Sequence, residues 1–213
     1  MCFSAGASFG AGIVLSVIGV ASIKKASSPS QISFASIPLI FAVQQITEGF
    51  VWLSLSNPAY AAYQQMATYN FLFFAQVVWP VWVPFAILKL EPKALRKKSE
   101  KILVGIGALV SLYLAYCLFS YPVESKIFGY HISYLQDYPS TLSFLCGFLY
   151  IVATIVPPFF SRIRRMWVLG AAILISYIIT SIFYTDYIVS VWCFFASVIS
   201  IAVYATLPAP NRS

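Results

Sequence analysis

ILVGIGALVSLYLAYCLFSY, residues 102–121, runs for twenty positions without a charge, and the basic residues Lys97, Lys98 and Lys101 lie immediately before it. Twenty residues rising 1.5 Å each make a helix of about 30 Å, the thickness of a bilayer's hydrocarbon core. The run lacks the period-2 alternation of a barrel strand, and lipid leaves no partner for an unpaired backbone group. It therefore reads as a membrane-crossing helix.

Working outward, comparable runs lie on both sides. Spans are expected near Phe3–Ile23, Ile32–Leu55, Ala61–Leu88, Ile102–Tyr121, Thr141–Phe160, Met166–Tyr184 and Tyr187–Leu207. Composition agrees: 61% of residues are hydrophobic, 9% are charged and the mean hydropathy is +0.86, against roughly a quarter charged in soluble domains. No polar stretch is long enough to bury a core of its own. The expected fold is all-α, a polytopic transmembrane bundle of about seven helices forming one domain over residues 1–213. The lipid bilayer is its first partner.

The net charge of +7 is not gathered on one face, which argues against nucleic-acid binding. It falls instead between the apolar runs. If the loops after spans one, three and five and the C-terminus face the cytoplasm, that side holds Lys24, Lys25, Lys89, Lys93, Arg96, Lys97, Lys98, Lys101, Arg162, Arg164, Arg165 and Arg212, leaving only Lys126 outside. The positive-inside rule then sets the N-terminus out and the C-terminus in, for a multi-pass protein of the cell (inner or plasma) membrane. Basic residues follow the first apolar run instead of preceding it, which argues against a cleaved signal peptide.

Helix contacts leave their own marks. Ser4, Ser8, Gly12 and Ser16 recur every four residues and Gly6 to Gly10 forms a G-x-x-x-G, so the first span is expected to approach a neighbour closely. Pro38, Pro80, Pro84, Pro157 and Pro158 are expected to bend spans two, three and five. The outer loop 123–140 places Phe128, Ile132 and Leu135 at helical spacing, so it is expected to lie on the interface as a roof. The tryptophans read as interfacial anchors and core.

Of six acidic residues, Glu48 is inside a span. A carboxylate in hydrocarbon is expensive and normally faces the bundle interior or a wet cavity. Gln44 and Gln45 precede it by one turn, and span three descends alongside with Gln64, Gln65, Tyr69, Asn70 and Gln76. Two readings stand: glue between helices, or a polar ligand pocket built from Glu48, Gln44, Gln45, Gln65, Tyr69 and Asn70 near the outer face. In the second the ligand is a small solute, an ion or a lipid head group, held for transport or sensing. Cys2, the single histidine His131 and Glu48 form a candidate metal site, and the Cys2 thiol a candidate nucleophile. That constellation supports a membrane enzyme as the alternative function, and a structural or assembly subunit is the third. Cys117, Cys146 and Cys193 match no C-x-x-C metal spacing.

The absences narrow the field. No lysine occurs in the last span, which excludes a retinal Schiff base of the usual kind, and one histidine excludes bis-histidine haem. There is no G-x-x-x-x-G-K-[ST] and no G-x-S-x-G.

Met1-Cys2-Phe3-Ser4-Ala5-x-Ala7-Ser8-Phe9, with Gln44-Gln45-x-x-Glu48-Gly49-Phe50-Val51-Trp52-Leu53 in the second span, resembles a family of small uncharacterised bacterial multi-span membrane proteins. The N-terminal Met-Cys-Phe-Ser-Ala and the Gln-Gln-x-x-Glu-Gly segment are that family's signature. The resemblance covers roughly the first quarter of the chain. It implies a multi-span fold and brings no activity with it.

Overall fold

The structure is a computed structural model and describes residues 4–92, 98–163 and 165–207. Helices dominate it. Six are long and apolar enough to cross a membrane: Ala5–Lys25, Pro29–Ser56, Pro58–Leu90, Lys98–Ser120, Met166–Phe183 and Thr185–Thr206. Many of their large apolar side chains point outward, among them Ile13 and Val17 (65% and 67% exposed), Leu109 and Leu112 (69% and 70%) and Phe183 (74%). Such surfaces need lipid, and the protein is a membrane protein.

The expected fifth of seven spans is shorter. Ser140–Ile155 is its continuous part, and the helix breaks before Pro157–Phe160. Pro157 and Pro158 have no N–H to give the carbonyls of Ala153 and Thr154, so the ladder stops there. Span two is interrupted in the same way: α2 (Pro29–Ala35) and α3 (Ile37–Ser56) meet at Ser36, two residues before Pro38.

Span three is interrupted differently. After the 3-10 stretch Pro58–Tyr63, α4 (Gln64–Leu72) passes into a π-helical segment, Phe73–Val78, before α5 (Trp79–Leu90). Pro80 cannot donate to the carbonyl four residues back and crowds it, and one wide turn absorbs the misfit. Carbonyls along the segment find outside partners. Tyr150 Oη donates to Ala75 O at 2.5 Å and Ser111 Oγ to Val77 O at 2.7 Å.

α1 (Ala5–Lys25) packs antiparallel on α3 through Ser8, Gly12, Leu15, Gly19 and Ser22, all buried. The contact seam therefore steps by four and three residues, not by four throughout. Ser16 is half-buried and turns its hydroxyl to Gly12 O, Ser4 caps the helix by accepting from Ala7 N, and Gly6 and Gly10 are exposed. Backbones approach closely along the seam: a Cβ on Gly19 would lie 2.7 Å from Leu39 N, and one on Gly12 2.6 Å from Ile46 Cγ1.

α6 (Lys98–Ser120) crosses α5 at Gly107. The loop that follows is a β-hairpin, not a helix: β1 (Val123–Phe128) pairs antiparallel with β2 (His131–Gln136), from Val123↔Gln136 to Phe128↔His131. Gly129 turns it with φ +59°, a left-handed value that suits glycine. Alternation decides the faces. Ser125 and Ile132 point inward while Glu124, Lys126, Phe128 and Leu135 are exposed.

The chain ends with α7 (Ser143–Ile155), α8 (Pro157–Phe160), α9 (Met166–Phe183), α10 (Ile188–Ile199) and α11 (Ala202–Thr206). The core has two apolar clusters. One holds Leu15, Phe41, Trp79, Ile87, Met166 and Val203; the other, beneath the hairpin, holds Val51, Trp52, Phe71, Leu118, Ile132 and Cys193. On α3 the polar residues 44, 45 and 48 fall between the two.

Candidate functional site

Gln44, Gln45 and Glu48 are each 0% exposed. Positions 44 and 48 are one turn apart, and 45 sits between them on the inner face of α3. Two of them meet a partner from another span. Trp79 Nε1, its ring stacked 3.8 Å from that of Phe41, donates to Gln44 Oε1 at 2.6 Å. Ser190 Oγ, from α10, donates to Glu48 Oε1 at 2.5 Å. Cys193, three residues beyond Ser190, lies beside both the Gln44 amide and the Glu48 carboxyl.

The satisfaction is incomplete. Glu48 Oε2, Gln44 Nε2 and the Gln45 amide are buried without a well-formed hydrogen bond of their own, although the Gln45 amide approaches the carboxyl and the Gln44 amide the Cys193 thiol. A buried polar atom left wholly unpaired costs about 1–3 kcal/mol, more for a charged group.

Cys193 also borders a cavity of about 280 Å³, walled by Gln76, Tyr113, Tyr138, Tyr150, Tyr177 and Trp192. Its rings are held in place. Tyr150 is fixed by the Ala75 carbonyl, Tyr138 Oη donates to Gln76 Oε1 at 3.0 Å, and Gln76 Nε2 donates to Gln136 Oε1 at 2.8 Å. Tyr177 and Tyr150 meet Trp192 edge-on, with centroids 5.2 and 5.9 Å away. Burial, reinforced by Cys117 and Tyr69, pushes the Tyr138 phenol above its usual range, so it stays a neutral donor.

The structure gathers half of the expected ligand set. Gln44, Gln45 and Glu48 come together; Gln65 and Asn70 are exposed, and Tyr69 is half-buried, stacked 6.4 Å from Phe119. Both exposed residues lie on α4, whose inward face carries Ala67, Thr68, Phe71 and Leu72 instead. What span three contributes there is a seam to the hairpin: Gln64 Nε2 donates to Ser125 O at 3.1 Å, and the Thr68 and Ser125 hydroxyls are 2.8 Å apart.

Of the candidate metal set, Cys2 lies outside the described residues. Glu48 is engaged with Ser190, and His131 packs between rings, 4.8 Å from Tyr187 and 5.3 Å from Tyr184. Burial lowers the His131 imidazole below its ordinary value, favouring the neutral ring. Among the described residues no cluster of three His, Cys, Asp or Glu side chains is placed to hold a metal. Cys117, Cys146 and Cys193 are buried free thiols.

Sequence reasoning missed Ser190 and the aromatic wall. A signal for Ser190 was present: Ser190, Cys193, Ser197 and Ser200 step by three and four along the last span, and all are buried. The wall residues are scattered over five segments, and each alone reads as core.

The fold and the site define a polytopic helical membrane protein with a buried carboxyl–amide cluster beside an aromatic cavity. The chain belongs to the family described as "Family of unknown function (DUF6629)", which matches residues 1–212. No curated protein and no solved structure matches it.

Proposed function

We propose that this protein binds a small organic solute in the aromatic cavity, within the membrane and close to its extracytoplasmic face, in order to carry or sense it. The cavity between Gln76, Tyr138, Tyr177 and Trp192 carries this reading. Ligand sites are concave and mostly apolar, with a few fixed polar groups that set orientation. Gln76 and the Tyr138 hydroxyl are those groups here, and the ring faces supply stacking area for a flat or cationic moiety.

The topology behind the words "extracytoplasmic face" is part of the proposal. Seven crossings, with the broken segment of α7 and α8 counted as the fifth, put the N-terminus and the hairpin outside in the cell membrane. The ends of α1 and α5 and the start of α9, which carry Lys24, Lys25, Lys89 and Arg165, then face the cytoplasm. Packing supports one shared basic end. Lys25 Nζ donates to Tyr204 O at 2.6 Å, and Glu91, at the end of α5, accepts from Ser161 Oγ at 2.7 Å and Arg162 N at 2.8 Å.

Gly147 gives the test. It lines the cavity, and a Cβ there would meet nothing within 4 Å, so the first carbon of Gly147→Leu is accommodated and the rest of the side chain adds bulk at the cavity wall. Mass spectrometry of small molecules extracted from purified protein should show a species with the wild type that Gly147→Leu has lost. Equal retention by a folded variant, or no bound species in either, would sink the reading.

A further inference from the structure

Glu48 presents a problem that the cavity does not solve. It is 0% exposed inside a span, and the groups that meet its carboxyl are the neutral Ser190 hydroxyl and Gln45 amide. An ionised carboxylate held in hydrocarbon by neutral groups alone is poorly compensated.

The arrangement of donors indicates how the charge is managed. The Ser190 hydroxyl donates to Oε1, which makes Oε1 an acceptor and leaves Oε2 as the oxygen open to a proton. Gln45, one turn back, lays its amide against the same carboxyl. With a proton on Oε2, the acid O–H can donate to Gln45 Oε1. Without it, a half-turn of the amide offers Gln45 Nε2–H to the carboxylate. A glutamine can serve both states, where a lysine would hold the site ionised and a leucine would hold it neutral.

We propose that Glu48 is an exchangeable proton-binding site, with the proton carried on Oε2, Ser190 fixing Oε1 and Gln45 following the change of state. Binding forms one O–H bond from a carboxylate lone pair and a proton taken from water, and release returns that proton to water. Among the described residues, the titratable group that acts on the carboxyl is the Cys193 thiol from α10. α1 brings Lys24 and Lys25 only at its far end, and the Glu124–Lys126 pair of β1 is exposed and self-neutralised. α4 carries Tyr69, which stacks on Phe119, and Trp79 of α5 brings no titratable group.

Infrared difference spectroscopy of the full chain in lipid nanodiscs, stepped in pH, reads this directly. A carboxylic-acid carbonyl band should bleach as the pH rises, and Glu48→Gln should lack it. Ser190→Ala removes a hydrogen bond that favours the ionised form, so its midpoint should move up by about one pH unit. Replacing sodium by an organic cation should leave the midpoint in place. Gly147→Leu, which tests the cavity, should keep the band, so the two ideas fail separately. A wild-type band that is absent, that persists at every pH or that survives Glu48→Gln overturns the proposal, as does a midpoint governed by sodium or unmoved in Ser190→Ala.

Discussion

Gly107→Ala should destabilise the bundle far more than one methyl group suggests. A Cβ at Gly107 would land on the carbonyl oxygen of Pro80, at less than any real contact distance, and 3.3 Å from Pro84 Cγ. The nearest atom is backbone, in a stretch that Pro80 and Pro84 stiffen, so α5 and α6 must move apart. Overpacking of this kind costs about 1–3 kcal/mol, and the upper end applies where no side chain can swing away. Separation also stretches the Ser111 Oγ to Val77 O bond of 2.7 Å, one turn along the same face, a loss of about 1 kcal/mol. Against this, alanine gains up to about 1 kcal/mol over glycine in helix propensity. The net loss is about 3 kcal/mol. Gly105, on the same helix, is the internal control, since a Cβ there meets nothing within 4 Å. Equilibrium unfolding in mixed detergent, followed by tryptophan fluorescence, should therefore place Gly107→Ala well below the wild type and Gly105→Ala at or slightly above it. Equal stability of the two variants would refute the close-crossing argument.

Acidification should weaken the hairpin through His131. Its folded pKa lies below the unfolded value, so the contribution of the neutral ring is fully present above about pH 6.5 and is lost as the pH falls through the folded value. Between pH 7 and 5 the wild type should lose more stability in the same detergent titration than His131→Phe, which keeps a ring against Tyr187; equal losses would count against it. For topology, reporters fused after Lys25 should read cytoplasm and one inserted at Gly129 should read exterior, and a cytoplasmic signal at Gly129 would invert the protein.

Much of the frame was legible because lipid simplifies the reading. Uncharged runs such as 102–121 have one viable structure, and a carboxylate at position 48 has one tolerable direction, inward. The hairpin was not legible from periodicity: Phe128, Ile132 and Leu135 fit a helix as well as they fit two strands, and Gly129 as the turn decides between them. Nor was the first half of span three. Gln65 and Asn70 lie on the inner side only if the helix runs unbroken to Glu48's neighbours, and the 3-10 start and the π-helical turn change which face looks in. The pairing of Glu48 with Ser190 spans 142 residues of sequence, and no local pattern encodes it.

The π-helical turn at Phe73–Val78 makes span three a helix with a phase slip. Because each residue of an α-helix advances about 100° around the axis, a wide turn that accommodates one surplus residue sets α4 and α5 on different angular settings. α4 thereby directs Thr68 and Phe71 at the hairpin while α5 directs Trp79 at Gln44. Gln76 sits within the slip, so its aim into the cavity depends on where the surplus residue resides. The Tyr150 and Ser111 hydroxyls grip the loosened carbonyls from two other helices and pin the defect in place. Anything that pulls Tyr150 off Ala75 would free the slip to travel along the span and rotate Gln76 away from whatever it faces.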